Sequence, residues 1–158
     1  MMQSRTHTCG ELRLEHVGQT VTLAGFMENV RFVSGSLAFV VLRDFYGTTQ
    51  LVAEDPALLS QLRDINKETT IQVTGTVRER SSKNPKQPTG DIEVVPAELK
   101  ILGRCRRNEL PFEINRSREA DETQRLKYRY LDLRNPAVKK NILLRCSVVA
   151  AIRKAMMD

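Results

Sequence analysis

Few side chains in this sequence are arranged for making or breaking bonds. The chain has two histidines, His7 and His16, both near its start. It has no glycine-rich dinucleotide loop, no phosphate-binding P-loop and no HExxH pair. Glu11 and Glu15 are close in sequence, but their spacing suits a solvated face better than an acid–base pair. Cys9, Cys105 and Cys146 are odd in number and widely spaced, with no CxxC pair. Reduced thiols in a cytoplasmic protein are therefore expected, rather than a zinc site or a disulfide framework. No catalytic residue, no metal ligand and no cofactor is assigned to this chain.

The remaining residue types suit recognition of a single-stranded nucleic acid. That task needs a flat ring for a base, guanidinium groups for phosphates, and amides or carboxylates for base edges. In the run Leu37–Arg43, read as a strand, Phe39 and Val41 share one face while Ala38 and Val40 share the other. Both sets are apolar, so one of them must face outward. An outward Phe39 would be a stacking platform worth ~1–3 kcal/mol per base; an inward one is a core residue. Arg78 and Arg80, two apart, project from one face toward a phosphate, or else form an ordinary exposed rim. Gln50 and Glu93 are polar positions in otherwise apolar strands, marking a solvated side or plain alternation.

The composition agrees with a small folded protein that meets a polyanion. Of 158 residues, 41% are hydrophobic and 28% charged, with a net charge of +6. The charge is uneven: residues 1–75 hold 6 Lys/Arg against 8 Asp/Glu, residues 76–107 hold 8 against 4, and residues 116–158 hold 11 against 5. A basic half favours partners whose phosphates release counterions on binding. No apolar run approaches the ~18–20 residues of a membrane span, so no membrane partner is expected. The N-terminus lacks the apolar stretch of a secretory signal.

The elements that must position these residues follow from periodicity. Residues 19–31 alternate as a strand, with Gly25 at a bend or bulge. Residues 37–43 and 48–53 form two more strands around an Asp44–Gly47 turn. Asp55-Pro56 then caps a helix whose apolar face is Leu58, Leu59, Leu62 and Ile65. Residues 70–79 return to period two, with Ile71, Val73, Gly75 and Val77 on one side. After a polar loop, Ile92–Val95 and Leu99–Leu102 form a kinked fifth strand. This order predicts a mainly β chain: a five-stranded OB-fold barrel with a helix between strands 3 and 4. A helical hinge and a C-terminal helix follow, the latter with a stripe of Val138, Ile142, Cys146, Val149, Ile152 or Arg153, and Met156. The expected divisions are 1–106 for the barrel, 107–134 for a linker or hinge, and 135–158 for the opening helix of a further domain.

Several strings together are specific. Thr6–Phe26 (THTCGELRLEHVGQTVTLAGF), Val40–Val52 (VVLRDFYGTTQLV), Ile71–Arg80 (IQVTGTVRER), Thr89–Val94 (TGDIEV) and Arg125–Pro136 (RLKYRYLDLRNP) closely resemble the N-terminal part of bacterial-type aspartyl-tRNA synthetases. The resemblance runs along nearly the whole chain. It implies an anticodon-binding OB domain, a hinge and the start of a class II catalytic domain. It implies that Phe39 stacks on the middle anticodon base and that Gln50 reads that base. Arg31, Arg78, Arg80, Asn84 and Glu93 match family positions that contact the anticodon loop. The implied partner is the aspartate tRNA, with the asparagine tRNA as the alternative. The implied parent enzyme is a homodimeric, cytoplasmic ligase that uses ATP and magnesium. Motifs 2 and 3, which hold ATP and the adenylate in that family, are absent from this sequence, so the chain alone is expected to be inactive. The competing reading is a free-standing OB module that binds single strands without anticodon preference.

The chain also departs from the family pattern. Phe26 stands where a tryptophan is usual, and Asn29-Val30-Arg31 replaces a run of three arginines. The loop Phe32–Ser36 is one residue longer than usual.

Overall fold

A computed structural model describes residues 5–107 and 109–157. The chain divides into two compact units, residues 1–108 and 109–158.

The first unit is a closed five-stranded barrel. Its strands are β1 (Thr20–Ser34), β2 (Leu37–Arg43), β3 (Thr48–Ala53), β4 (Thr70–Glu79) and β5 (Ile92–Gly103). They are ordered β1-β2-β3-β5-β4 around the barrel, and β4 closes antiparallel on β1. The β3–β5 contact is the parallel pairing, through Leu51 and Val94. Helix α1 (Pro56–Arg63) lies between β3 and β4, as expected. The Asp55 side chain caps it by accepting from the Ala57 and Leu58 amides, while Pro56 supplies a helical φ at no cost in donors. Leu58, Leu59 and Leu62 of α1 join Val21, Leu23, Val40, Leu42, Leu51, Ile71, Val73 and Val94 in one core.

β1 is long because it serves two neighbours. Val21–Gly25 pair with β4, Phe26 pairs with both β4 and β2, and Met27–Ser34 continue along β2. Gly25 lies at the handover. A Cβ there would fall 2.4 Å from the Arg43 carbonyl oxygen, so only glycine lets the strand pass this closely. The bulge itself falls later, between Met27 and Asn29, with a second irregularity between Phe32 and Ser34. The kink in β5 lies opposite the Thr74/Gly75 register shift, where Gly75 faces Pro96. A Cβ on Gly75 would sit 2.3 Å from the Val95 carbonyl oxygen.

The second unit is more ordered than a linker. A 3-10 helix spans Ile114–Glu119, followed by α2 (Glu122–Lys127), α3 (Arg129–Asp132) and α4 (Pro136–Met157). Phe112, Ile114 and Leu131 form a small core of their own. Beside it the Asp132 carboxylate is fully buried. It accepts from the Ser117 hydroxyl at 2.6 Å, from Arg125 at 3.3 Å and from Arg129. Burial pulls its pKa up, but the Ser117 hydrogen bond and the two guanidinium groups outweigh this and hold it below the ordinary aspartate value. In α4 the expected stripe is less sharp than its spacing suggested. Val138 is buried, whereas Ile142, Leu143, Leu144, Val148, Val149 and Ile152 are all exposed. Leu143, Leu144 and Val148 widen the apolar surface beyond the stripe.

Two outcomes follow. Gly75→Ala should destabilise the barrel by about 2 kcal/mol through overpacking, read as a lower urea midpoint at unchanged slope. Asp132 stabilises the second unit at any pH above the ordinary aspartate value of about 4. That stabilisation is lost as pH falls through its depressed folded value. Exchange protection factors (rates corrected for intrinsic pH dependence) of the Leu131 and Ala120 amides should therefore fall in acid, and Asp132→Asn should remove that pH dependence.

Candidate nucleic-acid interface

The barrel wall settles which face of β2 is outside. Ala38 and Val40 are buried to 0% and 1% exposure, so Phe39 and Val41 point outward. Cross-strand registry then lays a row of side chains across the sheet. Asn29 of β1 opposes Val41 of β2, which opposes Gln50 of β3. On the other side of the closure, Glu93 of β5 opposes Arg78 of β4. The parallel Leu51–Val94 pairing brings Gln50 beside Glu93. A second row places Arg31 opposite Phe39.

These rows line a groove of about 410 Å³, formed by Asn29, Arg31, Phe39, Val41, Gln50, Arg80, Ser81, Ser82 and Glu93. The Arg31 guanidinium lies over the Phe39 ring, 5.6 Å from its centroid. This is a cation–π contact that keeps the ring standing and adds a positive edge. Glu93 forms the floor. It lies on the outer face, since Ile92 and Val94 point into the core, yet it is only 7% exposed because its neighbours cover it.

Both Glu93 oxygens are engaged. Arg78 donates to Oε1 from Nε at 3.1 Å and from Nη2 at 2.8 Å, and the Gln50 amide Nε2 donates to Oε2 at 3.2 Å. A carboxylate can accept only from the amide nitrogen, so this bond sets the Gln50 flip and leaves its Oε1 as an acceptor for a bound group. Arg78 also reaches Glu54 at 3.3 Å, and the Glu93 hydrogen bond is the main reason its pKa is raised. The floor is thus nearly charge-balanced, while Arg31 and Arg80 on the rim supply positive charge. Among the described residues no carboxylate forms an ion pair with Arg31 or Arg80.

Five of the seven residues singled out from sequence, Arg31, Phe39, Gln50, Arg80 and Glu93, therefore meet in one groove. Arg78 joins them indirectly, as the partner of Glu93. Asn84 does not line the groove. Its backbone exchanges with the loop, donating to the Gly90 carbonyl and accepting from the Gln87 amide, while its Oδ1 accepts from the Lys86 amide at 3.1 Å. These bonds make Asn84 an organiser of the 84–90 turn. A Cβ on Gly90 would overlap the Asn84 carbonyl oxygen, so that turn is closely packed. Four lining residues were not singled out: Asn29, Val41, Ser81 and Ser82. Val41 follows from the same i, i+2 parity as Phe39. Asn29 does not, because the bulge reverses the parity of β1.

No group of three or more His, Cys, Asp or Glu side chains is placed to hold a metal ion among the described residues. No helix among them is long and apolar enough to cross a membrane.

Comparison with known proteins agrees with this geometry. The chain is 48% identical over 158 residues to an aspartate–tRNA ligase of Amoebophilus asiaticus, covering 98% of this chain and 26% of that protein. It is 45% identical over 157 residues to an aspartate–tRNA(Asp/Asn) ligase of Dinoroseobacter shibae, covering 98% and 26%. It spans about a quarter of the length of the curated relatives it matches. Among solved structures, an aspartyl-tRNA synthetase from Entamoeba histolytica superposes with a TM-score of 0.88 at 19% identity, over 99% of this chain and 38% of that one, a likeness of fold. Residues 21–102, the body of the barrel, match the tRNA anti-codon family profile, described as an OB-fold nucleic acid binding domain. With the groove built on that same segment, the chain belongs to the tRNA anti-codon family of OB-fold nucleic acid binding domains.

Proposed function

We propose that this chain is the anticodon-binding portion of an aspartate–tRNA ligase, acting by recognition rather than catalysis. The observation that carries this is the convergence of Arg31, Phe39, Gln50, Arg80 and Glu93 on one groove. Its chemistry suits an unstacked base. Phe39 offers a flat face, Gln50 Oε1 an acceptor for a base N–H, and Glu93 spare lone pairs for an amino-bearing edge. Arg31 and Arg80 face the backbone phosphates. Arg78 holds Glu93 aimed through two hydrogen bonds, so the floor is arranged before the base arrives.

In this reading residues 1–106 hold the anticodon, 107–134 form the hinge and 135–158 open the catalytic domain of a homodimeric, cytoplasmic enzyme. The ATP and magnesium of the full ligase are held outside this chain. The partner is the aspartate tRNA. Extension to the asparagine tRNA fits the relatives whose names include both and the loss of two arginines near Arg31.

Binding of an aspartate-tRNA anticodon stem-loop should be lost when the middle anticodon base is changed. Equal binding of both stem-loops would replace this reading with a general single-strand binder. Phe39→Ala should weaken binding by about 1–3 kcal/mol through lost stacking. Arg80→Ala should weaken it for any sequence and lower the slope of log K against log salt by about 1; both are measurable by fluorescence anisotropy across a salt series.

A further inference from the structure

The groove depends on a reversal in β1 that backbone alternation alone does not supply. Met27 pairs with Leu42, and both are buried, at 1% and 0% exposure. Strict alternation would send Asn29 and Arg31 inward after Met27, and Glu28 and Val30 outward. The register shift between Met27 and Asn29 reverses this. Asn29 and Arg31 now oppose the outward Val41 and Phe39, and Val30 packs on the core.

Three charged side chains meet at that shift. Arg43, at the end of β2, donates from Nη2 to both Glu68 oxygens at 2.8 Å, and its Nη1 lies 3.6 Å from Glu28 Oε2. The Arg43 and Glu68 side chains are 7% and 5% exposed, that of Glu28 19%. Glu68, at a positive φ of 64°, donates its amide to the Met27 carbonyl at 2.8 Å, and the Met27 amide donates to the Thr69 carbonyl at 2.9 Å. None of the three side chains lines the groove.

We propose that the Arg43–Glu28–Glu68 cluster is a positioning device for the groove, pinning the β1 bulge so that Asn29 and Arg31 face the bound nucleotide. This rests on the anticodon-binding reading. One nitrogen of the buried Arg43 bonds both Glu68 oxygens, and its other terminal nitrogen faces Glu28 as an ion pair at 3.6 Å, so the fixed positive charge draws the extra residue of the bulge to that side. An apolar contact could fill the space, but it would exert no pull on Glu28 toward Arg43. Glu28 thus acts through Asn29 and Arg31, without touching the ligand.

The test uses the full chain with Glu28→Ala and Glu28→Asp, the latter withdrawing the carboxylate by one methylene should the alanine variant fail to fold. Glu28→Gln, which keeps an oxygen acceptor at full length, is the conservative variant. The first readout needs no RNA: the ring-current shift that Phe39 imposes on the Arg31 side chain in NMR spectra. The second is affinity for the aspartate anticodon stem-loop, with Phe39→Ala as control. The ring-current shift should be lost in the folded Ala or Asp variant, and affinity should fall about tenfold with the displaced cation–π partner. Glu28→Gln should keep most of both. A retained Arg31 shift in the folded loss variants overturns the proposal. So does a lost shift with unchanged affinity while Phe39→Ala still weakens binding. If Phe39→Ala also leaves affinity unchanged, the anticodon reading fails, and the Arg31 shift alone decides for or against the cluster.

Discussion

The groove depends first on closure of the sheet by the parallel β3–β5 pairing. Without it, β3 and β5 would each present an open edge of unpaired amides and carbonyls. Closure removes those edges and brings Gln50 within 3.2 Å of Glu93, residues 43 apart in sequence. Everything on the groove floor follows from that meeting. A carboxylate at 7% exposure needs hydrogen-bond donors, and those of Glu93 come from β3 and β4 on either side. The barrel and its polar floor are thus mutually dependent: the sheet must close for Glu93 to be satisfied.

The second constraint is that β1 must serve two neighbours that lie in different directions. A 15-residue strand cannot do this while flat, so it bends at Gly25 and slips one residue beyond Met27. The bend costs a side chain, and the slip brings in a buried ion cluster. A strand with uniform alternation would turn Arg31 away from Phe39 and into the core in place of Val30. The irregularity therefore sits beside the groove, where the chain departs from ideal pairing in order to aim a side chain.

Division of labour among the arginines follows from their partners. Arg43 is buried against Glu68 and belongs to the architecture. Arg78 is shared between Glu93 and Glu54, so its charge is spent largely within the protein. Arg31 leans on a ring and Arg80 lies on the groove wall. Net charge alone does not distinguish these four; burial and distance do.

Much of the fold was legible because local chemistry and pattern agreed. Asp55-Pro56 marks a helix start by capping geometry alone, and the Ile71–Val77 alternation marks a buried strand face. Phe39, Gln50 and Glu93 stood out as groove residues by type and family resemblance, and strand parity limited Phe39 to two faces. Choosing the outer face needed the core, because Ala38, Val40, Phe39 and Val41 are all apolar and only packing separates them. Asn29 was hidden by the bulge, since a one-residue slip reverses every side chain after it. Asn84, singled out by resemblance, lies in the 84–90 turn outside the groove lining, its Oδ1 accepting from the Lys86 amide, because a short polar side chain also serves a turn. The sequence by itself determined the succession of strands and helix along the chain, the helix cap and the residue types of the site, because those depend on neighbours along the chain. Tertiary structure alone decided the phase of β1, the Gln50–Glu93–Arg78 floor and the fate of each arginine, because those depend on which strands meet when the barrel closes.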